Sequence, residues 1–152
     1  KKIFFIILSI SLLSNCQYKP IYSSQNKIDY KIIITSFTGD KDINNFINAN
    51  LIRSSKESSN KIVNISFDTQ YSKNVLAKNT AGTITDYQIN IVTTFTIRKE
   101  NSYESFPVNE KFNFQKMTDK YEEKNYENNI KRNLADLISQ KLILRLAVIK
   151  WF

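Results

Sequence analysis

Between Thr83 and Arg98 the chain alternates with a period of two. Tyr87, Ile89, Ile91, Thr93, Phe95 and Ile97 share one side; Gln88, Asn90, Thr94, Thr96 and Arg98 share the other, with Val92 the exception. Successive side chains of a strand point to opposite faces, so this pattern requires an extended segment with one dry face and one wet face. Such a strand belongs in an antiparallel sheet covered on one side. A second alternating run starts at Lys61, with Val63, Ile65, Phe67, Thr69 and Tyr71 opposed to Asn64, Ser66, Asp68 and Gln70. A turn at Lys99-Glu100-Asn101-Ser102 leads to a third strand, Tyr103 to Gln115, where Phe112 and Phe114 point the same way. Pro107 lacks an N–H and marks that strand as an edge or a bulge. Ahead of these, Ile28 to Phe37 is dense in β-branched residues and stops at Gly39.

Two stretches switch to helical spacing. Asp40 is placed to cap a helix with Asp42 in its first turn, and Ile43, Phe46, Ile47 and Leu51 then fall on one face. The polar run from Ser54 to Asn60 ends it. Near the C-terminus, Asp119 with Glu122 has the spacing of a capping box, and Glu127 and Lys131 can pair one turn apart. Ile130, Leu134, Leu137, Ile138, Leu142 and Leu146 form a broad apolar stripe on this longest element. The order β-α-β-β-β-α predicts an α+β fold, a two-layer sandwich of two helices on a four-stranded mixed, mainly antiparallel sheet. The first strand joins the sheet only after a crossover through the first helix, which allows part of the sheet to be parallel.

The start of the chain is of another kind. Lys1-Lys2, an apolar run from Ile3 to Leu13 and then Ser14-Asn15-Cys16 have the layout of a secretory signal. The run is shorter than the ~20 apolar residues that cross a bilayer. The only cysteine stands where cleavage would fall, which is the arrangement of a bacterial lipoprotein signal with Cys16 as the lipidated residue. The expected organisation is a signal peptide over 1–15, a lipidated N-terminus and linker over 16–27, and one α+β domain over 28–152. Loss of Lys1 and Lys2 would lower the formal charge from +8 to +6. A basic exported domain suits an anionic partner.

Several chemistries are excluded. The chain has no histidine, which removes His-based acid–base catalysis and His metal sites. One cysteine leaves no internal disulfide and no thiolate-held zinc. Two glycines cannot form the common phosphate-cradling loops. Asp86 with Glu104 or Glu110 are the remaining candidates for paired-carboxylate hydrolysis, and solvated surface acids explain them better. The expectation is a non-enzymatic protein with no cofactor, no metal and no nucleic-acid partner.

Three segments resemble one family. Cys16-Gln17-Tyr18-Lys19-Pro20-Ile21-Tyr22 resembles the mature start of LptE, the lipopolysaccharide-assembly lipoprotein, in its alphaproteobacterial versions. Thr85-Asp86-Tyr87-Gln88-Ile89-Asn90-Ile91 is similar to the family's strand motif, and Leu142-Ile143-Leu144-Arg145-Leu146 to its closing helix. The resemblance implies an outer-membrane lipoprotein on the periplasmic face, and Gln17 agrees with outer-membrane sorting. It implies that the domain plugs the LptD barrel, assists its assembly and binds lipopolysaccharide. The family's basic contact residues map onto Lys78 and onto Lys120 or Lys124. The alternative is a periplasm-facing auxiliary lipoprotein of an ABC-type lipid transporter, which shares the small α+β architecture and the anchor.

Overall fold

The computed structural model describes residues 28–99 and 102–148. The expected signal peptide over 1–15, Cys16, the expected linker over 16–27, Glu100 and Asn101 of the expected turn, and the residues after Val148 lie outside the described residues. The elements run β1 (Lys31–Gly39), α1 (Lys41–Ser54), β2 (Ile62–Lys78), β3 (Ile84–Lys99), β4 (Ser102–Gln115) and α2 (Lys120–Val148). The four strands form one sheet in the order β1-β2-β3-β4. β1 pairs parallel with β2, and the other two pairings are antiparallel. The expected α+β architecture and element order are those of the structure.

Both helices cover one face. Val63, Ile65, Ile89, Ile91, Phe95 and Ile97 are fully buried beneath Ile43, Ile47 and Leu51 of α1 and Ile138, Leu142 and Leu146 of α2. Each such side chain contributes about 1.5–3 kcal/mol on leaving water. The core contains one polar row: Thr69 and Thr93 lie opposite each other, and their hydroxyls bond at 3.1 Å. An aromatic row crosses the whole sheet. Phe37, Phe67, Phe95 and Phe106 lie in register, with centroids 5.4, 5.6 and 6.1 Å apart in turn. A β-bulge between Ile34 and Ser36 moves Phe37 onto this face; strict alternation would have turned it outward.

Some expected boundaries shift, each for a physical reason. β1 begins at Lys31, not Ile28, because Asp29 is held in a bend by Lys56 at 3.0 Å and Lys61 at 2.8 Å. β2 continues to Lys78, past the run read from the alternation, because β3 pairs with it through Ile84. Leu137 is 44% exposed, outside the stripe assigned to it; Ala135 and Ser139 are buried instead. The Ser139 hydroxyl is satisfied by the Ala135 carbonyl at 2.7 Å. Asp119 caps α2 by accepting from Tyr121 and Glu122 N–H at 2.7 and 3.1 Å. The returning carboxylate is Glu123, not Glu122, and it accepts from Met117 N–H at 3.0 Å. Glu127 pairs with Lys73 of β2, and Lys131 with Asp40, the N-cap residue of α1. β4 is an edge strand, as Pro107 suggested. Lys116 N–H donates to Thr85 O at 2.8 Å, so even-numbered residues turn their N–H towards β3. Pro107 therefore faces the free edge, where a missing donor costs no ladder bond. Among the described residues, no helix is long and apolar enough to cross a membrane.

The β1–α1 crossover is fastened at both ends. Asp40 accepts from Ile43 N–H at 3.0 Å, and Asn44 donates to Thr38 O at 2.8 Å. At the far end, buried Ser55 caps α1 and its hydroxyl accepts from Ile32 N–H at 2.9 Å. The turn into α1 depends on Gly39, which has φ +95°, and a Cβ there would lie 1.9 Å from Thr69 O. Gly39→Ala is therefore expected to cost about 3 kcal/mol or more in urea denaturation. Gly82 has φ +78° with open space around it, and Gly82→Ala is expected to cost about 1 kcal/mol. Equal costs at the two positions would contradict the close approach of β1 and β2.

Candidate functional site

The strands end unevenly, and the step between them makes a cleft. β2 and β3 project as a hairpin past the last β4 pairing, Asp86 with Gln115. The first turns of α2 stand beside that projection. The space between has a volume of about 870 Å³. Its walls include Thr83 to Tyr87 of the hairpin, Gln115 to Thr118 of the connection, and Lys120, Glu123, Lys124 and Glu127 of α2. Lys73 closes the back.

Lys73 is the anchor of this arrangement. It stands at an inward position of β2, where the alternation calls for an apolar residue. Its ammonium lies 2.8 Å from Glu123 and 2.9 Å from Glu127, and 4.3 Å from the centre of the Tyr87 ring. Tyr71 donates its hydroxyl to Glu127 at 2.5 Å. The desolvation of each charge is thus offset by an opposite charge and by hydrogen bonds. Burial alone would lower the Lys73 pKa, but its bonds to both glutamates outweigh it and hold the ammonium above its ordinary value. The bond from Lys73 holds Glu123 below the ordinary carboxylate value. Burial opposes the same shift at Glu127, where bonds from Tyr71 and Lys73 prevail. Burial, and then the bond to Glu127, push the Tyr71 phenol up.

This network fixes the start of α2 and so places three lysines. Lys116, Lys120 and Lys124 line the cleft and make no ion pair among the described residues. The structure therefore brings Lys120 and Lys124 to one site. It leaves Lys78 outside the cleft lining: Lys78 is the last residue of β2, opposite Ile84, and is exposed. Cys16 lies outside the described residues. Sequence reasoning missed Lys73 and Lys116. Lys73 carried a signal, since a lysine at an inward position of an alternating strand needs acidic partners from the covering layer. Lys116 carried none, because its place depends on how the connection after β4 turns.

The three carboxylates considered for hydrolysis are not gathered. Glu104 is held by Arg145, whose Nε lies 3.0 Å away, and Glu110 by Lys141. Asp86 stands near the hairpin end, five register positions from the residue opposite Glu110, about 17 Å along the strand. Paired-carboxylate hydrolysis needs separations of about 5–10 Å. The cleft offers three exposed ammonium groups and threonine hydroxyls; of its acids, Glu123 and Glu127 are neutralised in part by Lys73 and Asp86 stands on the hairpin wall, so the lysines can still hold an anionic group by charge and hydrogen bonding.

No protein-family model matches the sequence, and no curated protein matches it. Solved structures are similar in fold. Rare lipoprotein B from Shewanella oneidensis superposes with a TM-score of 0.54 at 12% identity, covering 72% of this chain and 93% of its own. A protein from Caulobacter crescentus described as a lipoprotein gives a TM-score of 0.53 at 8% identity, covering 78% of this chain and 88% of its own. At these identities the likeness is one of fold.

The network has a defined pH window. Glu123 and Glu127 have depressed pKa values, so their stabilisation is present above the unfolded carboxylate value and is lost as pH falls through the folded values. Lys73 and Tyr71 have raised values, so theirs is present below about pH 10 and is lost at higher pH. The melting temperature is expected to fall as pH drops below about 4.5. Glu127→Gln should cost about 1–3 kcal/mol at neutral pH and flatten that fall. An unchanged acid slope in the variant would contradict the assignment.

Proposed function

We propose that this chain is an outer-membrane lipoprotein of the LptE type, anchored through lipid on Cys16, with its domain on the periplasmic face. In this reading it occupies the LptD barrel, assists assembly of that barrel and holds lipopolysaccharide on its way to the outer leaflet. It acts by binding and not by catalysis. The observation that carries the reading is the convergence of Lys116, Lys120 and Lys124 on one cleft beside the β2–β3 hairpin. Support also comes from a fold shared with a rare lipoprotein B and from the lipoprotein layout of residues 1–16.

The physics suits that task. Phosphorylated glycolipid presents clustered negative charge, which exposed ammonium groups attract over roughly one Debye length, about 10 Å at 0.1 M salt. Threonine hydroxyls on the hairpin wall can hydrogen-bond sugar or phosphate oxygens. A lipidated cysteine with several acyl chains would keep the domain at the membrane, since each buried methylene contributes about 0.8 kcal/mol. The domain's wet sheet face and surface charge fit a polar barrel lumen.

Lys120→Glu combined with Lys124→Glu is expected to weaken binding of purified lipopolysaccharide by about tenfold or more, with the larger loss at low salt. Lys78→Glu, outside the cleft, should have the smaller effect. Equal affinities across wild type and both variants would overturn the cleft assignment. Cys16→Ala should leave the protein out of the membrane fraction or unprocessed. Co-purification of the wild-type protein with an inner-membrane transporter instead of an outer-membrane barrel would favour the alternative lipoprotein role.

A further inference from the structure

The second surface lies on the opposite face of the sheet, at the other end of β3. There the register places Asn64 opposite Arg98 and Ser66 opposite Thr96, with Ser36 beside Ser66. The bulge that turns Phe37 inward leaves Thr35 unpaired at this point, and the ladder dips. Thr35, Ser36, Asn64, Ser66, Thr96 and Arg98 line a depression of about 350 Å³. Two of these hydroxyls are partly engaged: Thr35 donates to Ile65 O at 3.3 Å, and Thr96 shares a bond with Ser105 at 3.2 Å. Among the described residues, the side chains of Ser36, Asn64, Ser66 and Arg98 have no hydrogen-bond or ion-pair partner.

Among the described residues, Arg98 and Arg53 are the arginines that no acid or ring engages, and of the two Arg98 lines this depression. Arg145 is fastened to Glu104 and covers Phe106, and Arg132 covers Phe46. An exposed guanidinium is a rigid fork of donors, matched to oxyanions. Around it stand neutral hydroxyl and amide donors. The acid on this face of β2 is Asp68, one outward position beyond Ser66, about 7 Å along the strand, and it accepts from Thr38 at 2.5 Å.

We propose that this depression is a binding site for a phosphate monoester, with Arg98 as the charged fork and Ser36, Asn64, Ser66 and Thr96 as neutral donors. A phosphate monoester offers three peripheral oxygens to such a set, and a carboxylate only two. The site is separate from the lysine cleft. From Asp86 to Arg98 is about 40 Å along β3, and the two openings face opposite sides of the sheet. It goes beyond the function proposed above and does not depend on it.

The test is a titration of the nitrogen-labelled full-length chain in detergent, read by backbone amide shifts. The probes are inorganic phosphate, glucose 1-phosphate, glucuronate and glucose. Phosphate or glucose 1-phosphate should move the amides of Ser36, Asn64, Ser66, Thr96 and Arg98 together. Tighter binding of glucose 1-phosphate identifies a phosphorylated sugar as the source, and equal binding identifies free phosphate. Arg98→Gln should weaken binding about tenfold or more, and Arg98→Lys, which keeps charge and loses the fork, by less. Lys120→Glu with Lys124→Glu should leave these shifts unchanged, so failure of the cleft and failure of this site are distinguishable. The proposal is overturned by absent shifts, by equal shifts in Arg98→Gln, or by glucose or glucuronate matching the phosphates.

Discussion

Lys73 is the residue on which the arrangement of this domain turns. An ammonium placed on the dry face of a sheet is destabilising unless the covering layer supplies acid. Here α2 supplies Glu123 and Glu127 one turn apart, at 2.8 and 2.9 Å. The requirement runs in both directions. The glutamates would be costly to bury without Lys73, and Tyr71 adds a bond at 2.5 Å to Glu127. Apolar packing holds the middle and end of α2, where Leu134, Ile138, Leu142 and Leu146 are buried. Its beginning is held by charge. The cleft lies at that beginning, so its lysines are positioned by a polar clamp and not by the core.

The remainder of the fold follows from covering only one face. A sheet with two helices on one side exposes a broad surface of Asn, Gln, Ser and Thr on the other. The crossover from β1 to β2 sets the width of that surface, and Gly39, Asp40, Asn44 and Ser55 fasten the crossover at its two ends. The bulge in β1 then has two effects. It places Phe37 in the aromatic row that joins all four strands, and it shapes the outer depression beside Arg98. Edge protection is modest: Pro107 removes one outward donor from β4.

Much of this was legible in the residues. Alternation from Val63 to Tyr71 and from Tyr87 to Ile97 identified the inner face, because a period of two leaves no other reading of which side chains share a side. Asp40 and Asp119 marked the helix starts because short acceptors cap orphan N–H groups. The bulge at Thr35 was hidden, since a run of β-branched residues reads the same with or without an extra residue. Leu137 was misplaced because spacing alone cannot say where a stripe is centred, and Ala135 and Ser139 are too weakly hydrophobic to reveal it. The cleft was only partly visible. Lys120 and Lys124 lie one turn apart on a helix, but their meeting with Lys116 and the hairpin wall depends on strand lengths that no local pattern encodes. Nor could the sequence show that Lys78 ends a strand outside the cleft lining.

The function proposed for this basic, one-sided α+β domain is to grip anionic material at the lysine cleft. Its most direct test is a photo-activated cross-linker placed at position 120 in intact cells, with position 57, exposed and remote from the cleft, as the control. The account predicts a lipopolysaccharide adduct from position 120 and little from position 57. Adducts of equal yield at both positions, or none at position 120, would contradict it.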